Sequence, residues 1–283
     1  MPPSVLLPDS KAGVPINAVM DRNRLVGMIR VRKHLRNRST ALLMSLEGGI
    51  SRIMLGWLLV AMLACVLRIA MSPSRGAGPS LSTMLPYVLV IGAPLVSMAL
   101  ALRWFAGADT VSQPAVRLAR LGQWRDVGEA TARRYRYYGT TGLMVPLLVG
   151  MLLNVPLRTA EYLAAMPALS GSIPEWLRTL NLLMTADVVL LSSLYVVAFV
   201  AGLRRLPSFP RLLAAVWVVD LIVQSGIAAA ARAEPGLPTS VSAALHGLLE
   251  ANVLKAIVSM AIWLPYLLLS KRVNATYRHR LPA

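Results

Sequence analysis

Three ionisable residues, Asp187, Asp220 and Lys255, interrupt apolar stretches of the sequence that are otherwise long enough to cross a membrane. An ionisable side chain at membrane depth costs several kcal/mol unless it is paired or serves a function. At about 1.5 Å per residue, Asp187 and Lys255 lie roughly 22 to 24 Å from the ends of their helices that are expected to face the cytoplasm. Asp220 lies about 13 Å from the corresponding end of its own helix. We therefore expect Asp187 and Lys255 to form an ion pair.

Helical spacing adds polar neighbours to these three residues. Gln224 follows Asp220 by one turn, and Ser259 and Tyr266 share the helical face of Lys255. Two interpretations stay open for this group. It forms either a path for a solute or a proton, with Asp220 as the titrating group, or a structural pair with hydrogen-bonded neighbours that fixes helix register. The predicted intramembrane polar cluster comprises Asp187, Asp220, Gln224, Lys255, Ser259 and Tyr266.

Other chemistry in the sequence is sparse. His246 and Glu250 are one helical turn apart, but no further His or Cys completes a metal site. Ser192 and Ser193 have no aligned general base, so they do not indicate a nucleophile. The single cysteine, Cys65, excludes disulfides within the chain and any Cys-based metal site. We predict no catalytic residue, no cofactor, no metal ion and no enzymatic activity.

The composition of the chain indicates which kind of protein these residues belong to. The chain has 56% hydrophobic and only 14% charged residues, yet its net charge is +17. A soluble domain carries about 25% charged residues. Low total charge with a large basic excess is typical of a membrane protein whose charges lie in cytoplasmic loops. Nucleic-acid binding is disfavoured, because the basic residues alternate with uncharged runs of about 20 residues instead of forming one surface.

Apolar stretches and basic residues together predict an all-α integral membrane protein with six transmembrane helices. Of the Lys and Arg residues outside the spans, 23 fall on one side and four on the other. Because basic loops stay in the cytoplasm, both termini are expected there. Arg158 is counted in the third loop, as a helical pair with Glu161. The predicted spans are 53–71, 81–102, 138–157, 179–203, 211–231 and 250–270.

Five regions follow from this pattern. Residues 1–21 read as a disordered tail, and 22–52 as either a basic interfacial helix or a tail that sets topology, if they belong to the mature chain. Residues 53–106 form a two-helix extension. Residues 107–137 form a cytoplasmic basic amphipathic loop with a helix through Leu118, Leu121 and Trp124, which lies on the lipid surface or docks a partner. Residues 138–278 form a four-helix transmembrane domain.

Three stretches of the last region resemble a known family. They are Phe199-Val-Ala-Gly-Leu-Arg-Arg-Leu-Pro-Ser-Phe-Pro210, Ile262-Trp-Leu-Pro-Tyr266 and Ser270-Lys-Arg-Val-Asn-Ala-Thr-Tyr277. Over about residues 138–278 the chain resembles the bacterial membrane proteins of domain-of-unknown-function family 2569. The resemblance implies an integral membrane fold in the bacterial inner membrane, and it brings no catalytic residues, substrate or cofactor.

Two function classes remain open at this point. The first is a non-catalytic structural or accessory membrane component, and the second is a small secondary transporter or channel with a polar path lined by helices four to six. An intramembrane enzyme ranks third. The expected partner is the bilayer, through anionic headgroups at the basic loops, and a protein partner or homo-oligomer stays open. Asn274 heads a glycosylation sequon that this topology leaves unmodified.

Overall fold

A computed structural model describes residues 48–71, 81–107, 112–115, 121–169 and 173–283. The predicted tail 1–21 and most of the basic region 22–52 lie outside this part of the chain. Helices dominate what is described, together with one two-stranded ribbon. In chain order the elements are α1 Gly48–Ala70, α2 Leu81–Trp104, β1 Trp124–Asp126, α3 Glu129–Arg133, α4 Met144–Ala165, α5 Glu175–Leu203, α6 Phe209–Ala233, α7 Thr239–Leu269, α8 Lys271–Tyr277 and β2 Arg280–Pro282.

Helix α5 is the centre of the bundle. It packs against α2, α4 and α6, and α6 packs in turn against α7. In an apolar stretch of 18 residues, 67% of α5 is buried, whereas only 11% of the corresponding stretch of α1 is buried. Large apolar side chains such as Leu59, Val60 and Leu63 are exposed on α1. An exposed apolar helix of this length is what a lipid environment stabilises, so α1 lies at the periphery and α5 in the core.

Five of the described helices are long and apolar enough to cross a membrane: α1, α2, α5, α6 and α7. The chain is therefore a multi-pass helical membrane protein, as its composition predicts. Helix α4 is not one of the five. Its second half carries Asn154, Arg158 and Glu161, and these residues lower the hydropathy of a helix that is otherwise apolar.

Two predicted spans differ from the helices in the structure by six residues or more at one end or at both. The span predicted at 138–157 is a helix that runs from Met144 to Ala165, because Gly139 and Gly142 adopt positive φ values of 106° and 69° in a turn before it. Arg158 and Glu161 therefore lie within a helix and not in a loop. The span predicted at 250–270 begins at Thr239, directly after Pro238, because the Ala- and Leu-rich residues 239–249 continue the helix.

The segment after α2 pairs with the C-terminal end of the chain. Strands β1 and β2 are antiparallel, with Arg125 opposite Leu281, and the Nε atom of Arg280 lies 2.8 Å from an Asp126 carboxylate oxygen. The helix predicted through Leu121 and Trp124 is wrong for these two residues, since Trp124 belongs to β1. The third residue of that predicted helix, Leu118, lies outside the described residues. Pairing between segments so far apart in sequence overrides the local helical spacing.

Helix α8 packs against the turn between α5 and α6. The hydroxyl group of Tyr277 donates a hydrogen bond of 2.7 Å to the carbonyl of Gly202, and its ring centroid lies 4.9 Å from that of Phe209. A Cβ atom at Gly202 would lie 2.7 Å from a Leu148 methyl carbon and 2.8 Å from the Phe209 ring. Glycine is therefore required where α4, α5 and α6 approach one another at this end of the bundle.

The sequon residue Asn274 is fully buried at the same end of the bundle. Its Nδ2 atom donates to the carbonyls of Leu268 and Ser270, at 2.9 and 3.0 Å. A glycan on Asn274 is incompatible with these contacts.

Candidate functional site

Arg158 of α4 joins three helices in the interior of the bundle. Its Nη1 atom lies 3.2 Å from Asp187 Oδ2 on α5. Its Nη2 atom lies 2.6 and 2.5 Å from the two carboxylate oxygens of Asp220 on α6. Its Nε atom donates to Asn154 one turn earlier on α4, at 3.0 Å. All three guanidinium nitrogens are thus used, in the planar arrangement that suits arginine to carboxylates.

Each aspartate also accepts a hydrogen bond from the helix of the other. Tyr195 of α5 donates to Asp220 Oδ2 at 2.9 Å, and Gln224 of α6 donates to Asp187 Oδ1 at 2.7 Å. These crossed bonds connect α5 and α6 independently of the arginine. We call the six residues the ion-pair network: Asn154, Arg158, Asp187, Tyr195, Asp220 and Gln224.

Two apolar clusters lie along α5, and the ion-pair network lies between them. One contains Leu180, Met184 and Val188, and the other extends from Leu191 to Leu203. The exposed fractions of Arg158, Asp187 and Asp220 are 7%, 6% and 1%. An ionised group in such surroundings is stable only with a close partner of opposite charge, and removing one partner of a buried pair costs about 3 to 5 kcal/mol.

The network holds one cation against two carboxylates, so it carries a formal charge of −1 when both aspartates are ionised. Three further oxygen atoms on the same helices are buried and have no hydrogen-bond partner among the described residues: Thr159 Oγ1 on α4, Ser192 Oγ on α5 and Gln224 Oε1 on α6. Unsatisfied polar atoms of this kind are uncommon in folded proteins and need an explanation.

The structure brings together three of the six residues of the predicted polar cluster: Asp187, Asp220 and Gln224. The other three lie on α7. Ser259 is half-buried there, and the Tyr266 ring packs edge-on against Trp263 near the end of the helix, 6.0 Å between centroids.

Lys255 does not pair with Asp187, so that prediction is wrong. Its side chain is 50% exposed and forms an ion pair with Glu161 of α4, and its Nζ atom also lies 3.2 Å from Asn252 Oδ1. The prediction used depth along the helix axis, which fixes only one coordinate. Helix α7 packs mainly against α6, so equal depth does not bring Lys255 and Asp187 together.

Sequence reasoning missed Asn154, Arg158 and Tyr195. The predicted span ends at residue 157, so the sequence pattern places Arg158 in a loop. The available signal was its spacing, since Asn154, Arg158 and Glu161 recur at steps of four and three and mark one polar helical face. Tyr195 carried no comparable signal, because an isolated tyrosine in an apolar helix is more often a packing residue.

In the described part of the chain, no three His, Cys, Asp or Glu side chains form a group that could hold a metal ion. His246 and Glu250 form an exposed pair along α7, 3.4 Å apart. The arrangement that the ion-pair network does provide is a set of charges and hydrogen bonds joining α4, α5 and α6.

Residues 138–278 match the model of the family described as Protein of unknown function (DUF2569), so this part of the chain belongs to that family. The match begins six residues before α4 and ends one residue after α8. It therefore contains the whole ion-pair network and the contact between Tyr277 and Gly202. The resemblance seen in the three sequence stretches is confirmed. Neither a curated protein nor a solved structure matches the chain.

Proposed function

We propose that this chain, a member of the DUF2569 family over residues 138–278, is a non-catalytic structural or accessory component of the bacterial inner membrane. The observation that carries the proposal is the closed geometry of the ion-pair network. Its charged groups contact one another and are almost completely buried. Side chains that bind each other in this way hold α4, α5 and α6 together and leave their charges little access to a solute.

Six transmembrane helices, with α4 as the sixth, fit this proposal best. Strands β1 and β2 pair, so the segment before α4 and the segment after α7 lie on the same side of the membrane. The chain between them must then cross the membrane an even number of times. Helices α5, α6 and α7 provide three crossings. With 22 residues, α4 is about 33 Å long and can provide the fourth across a core of about 30 Å.

Both termini are cytoplasmic in this proposal. Crossings by α1 and α2 bring the N-terminal side of the chain to the side of β1 and β2. The turn between α5 and α6 and the segment around α8 lie on that side too, and they carry Arg204, Arg205, Lys271 and Arg272. Since Arg158 is not a loop residue, three of the four basic residues assigned to the opposite side remain there. Basic residues concentrate on the cytoplasmic side of bacterial inner-membrane proteins.

The partners in this proposal are the lipids of the inner membrane. Exposed Arg204, Arg205 and Lys271 suit contact with anionic headgroups, and the exposed apolar side chains of α1 suit the acyl chains. A second copy of the chain or another membrane protein could pack on the same apolar surface of α1. No nucleic-acid partner and no cofactor are part of the proposal.

A small secondary transporter or channel is the second candidate, and one observation favours it. The ion-pair network has an excess negative charge when both aspartates are ionised, and three buried oxygen atoms near it lack partners. Groups of this kind occur on proton and ion pathways through membrane proteins.

Flux measurements on the purified protein in liposomes distinguish the two functions. For a structural component, proteoliposomes with an imposed pH or potassium gradient lose it no faster than liposomes without protein. The Asp220→Asn variant then behaves like the wild type. Flux that depends on the wild-type protein and disappears in Asp220→Asn would overturn the structural proposal in favour of transport. A Glu161→Gln variant is the control for general effects of removing a carboxylate from α4.

A further inference from the structure

We infer that the ion-pair network is a proton-binding site, with one exchangeable proton held on the carboxyl group of Asp187. The inference rests on the geometry of the network and not on the proposed structural role. A proton bound permanently in a structural protein and a proton in transit through a transporter would occupy the same site.

The first argument is charge balance. Apart from groups near the helix ends and the exposed pair of His246 and Glu250, the titratable and charged groups on the helices around Asp187 are Arg158, Glu161 and Tyr162 of α4, Tyr195 of α5, Asp220 of α6, Lys255 of α7, Tyr87 of α2 and Cys65 of α1. Arg68 of α1 lies at such an end, where its Nε atom donates to the carbonyl of Met166, directly after α4. Lys255 and Glu161 neutralise each other as a pair. Arg158 neutralises one of the two aspartates, and the phenols and the thiol are neutral acids. One negative charge remains in an apolar interior, where one bound proton removes it.

The second argument assigns the proton to one of the two carboxyl groups. Asp220 accepts three short hydrogen bonds, two from Arg158 at 2.6 and 2.5 Å and one from Tyr195 at 2.9 Å. The contacts of Asp187 with Arg158 are longer, at 3.2 and 3.5 Å, and its remaining donor is Gln224 at 2.7 Å. Each carboxyl group has three contacts, but those of Asp187 with Arg158 are the longer ones and stabilise an ionised form less, so the proton is assigned to Asp187.

The third argument comes from the buried oxygen atoms without partners. A protonated Asp187 becomes a hydrogen-bond donor and needs an acceptor. Ser192 lies five residues further along α5, Thr159 is next to Arg158 on α4, and the Gln224 amide already contacts Asp187 through its nitrogen. Each of these residues has an exposed fraction of 3% or less and one oxygen atom that accepts no hydrogen bond from the described residues. The oxygen of Gln224, on the amide whose nitrogen contacts Asp187, is thus an acceptor that a fully ionised network does not use.

Infrared spectroscopy of the full-length protein in lipid nanodiscs tests the inference, because a protonated carboxyl group has a carbonyl stretch separate from the amide bands. The wild type is expected to show this band at neutral pH with the intensity of one carboxyl group, and to lose it in alkaline buffer. Absence of the band at neutral pH would overturn the inference without any variant. Loss of the band when sodium replaces choline in the buffer would overturn it too, since a metal cation would then be the ligand.

Variants identify the origin of the band. Asp187→Asn and Asp220→Asn each leave one carboxylate for Arg158, so the band should disappear in both. Arg158→Gln leaves two carboxyl groups without a cation, and the band should about double. Glu175→Gln, at the exposed start of α5, is the control and should leave it unchanged. A band that persists in both aspartate variants, or disappears in Glu175→Gln, assigns the proton elsewhere and contradicts the inference.

Two further variants separate Asp187 from Asp220. Gln224→Leu removes a donor to Asp187, so the carbonyl stretch should shift to higher frequency, whereas Tyr195→Phe removes a donor to Asp220 and should leave the stretch in place. The reverse pattern would place the proton on Asp220. These spectra are independent of the flux measurement, so a failure of the proton assignment and a failure of the proposed structural role are distinguishable.

Discussion

Arg158 and Asp220 form the closest contact of the ion-pair network, with one guanidinium nitrogen 2.6 and 2.5 Å from the two carboxylate oxygens. The two residues belong to α4 and α6, which both pack against the central helix α5. Their contact, together with that between Arg158 and Asp187, allows a helix with charged residues to pack inside the bundle. The predictions below follow from this arrangement and from the packing at the end of the bundle where α8 lies.

Gly202→Ala should destabilise the protein by about 1 to 3 kcal/mol, because the added methyl group overlaps Leu148 and Phe209. Gly226→Ala on α6 is the matched control. A Cβ atom there meets nothing within 4 Å, so the free energy of unfolding should stay the same or rise slightly. Denaturant unfolding in detergent micelles, followed by tryptophan fluorescence, measures both. Equal effects of the two substitutions would contradict the close packing at Gly202.

Tyr277→Phe should lower the free energy of unfolding by about 0.5 to 1.5 kcal/mol, since it removes a buried hydrogen bond to the carbonyl of Gly202, which keeps the Arg205 amide as a donor. Tyr135→Phe is the control, because Tyr135 is half-buried and its ring packs on Tyr137.

The burial of Tyr277 also makes the free energy of unfolding depend on pH. Burial raises the pKa of Tyr277 well above the usual value near 10, so the folded state holds the phenolic proton more tightly than the unfolded state. This contribution to stability is complete below about pH 10 and is lost as the pH rises toward the folded-state pKa. Unfolding curves at increasing alkaline pH should therefore show a steeper loss of stability in the wild type than in Tyr277→Phe. Parallel losses would mean that the Tyr277 hydroxyl group reaches water.

Cysteine labelling tests whether α4 crosses the membrane. In a Cys65→Ala background, a membrane-impermeant maleimide should label Glu175→Cys and Glu234→Cys in spheroplasts, because the proposed topology places the turns before α5 and before α7 outside the cell. Arg134→Cys and Arg204→Cys should be labelled only after permeabilisation. Labelling of Glu175→Cys and Arg134→Cys from the same side would show that α4 does not cross the membrane.

Sequence reasoning located the five apolar helices and the family segment, because long apolar runs and short motifs are local signals. It also selected Asp187, Asp220 and Gln224, since isolated polar residues in such runs are conspicuous. It could not choose their partners, because a pairing depends on which helices are neighbours. The polar residues in the second half of α4 end the apolar run before Arg158, so the sequence pattern does not place Arg158 in a span. The ribbon of β1 and β2 joins segments more than 150 residues apart, and no local pattern predicts such a pairing.

The central claim is that Arg158 lies between Asp187 and Asp220, and a double-mutant cycle tests it most directly. The free energy of unfolding is measured for Arg158→Met, Asp220→Asn and the double variant, with the exposed Arg178→Met as the control.

Arg158→Met should cost about 3 to 5 kcal/mol, because it leaves both buried carboxyl groups without their cation. Asp220→Asn should cost less, since Arg158 and Asp187 remain a neutral pair, and Arg178→Met should cost about 0 to 1 kcal/mol. The account predicts that the double variant loses less stability than the sum of the two single losses, by about 0.5 to 3 kcal/mol. Losses that add within about 0.5 kcal/mol would contradict it, because residues in contact do not contribute independently.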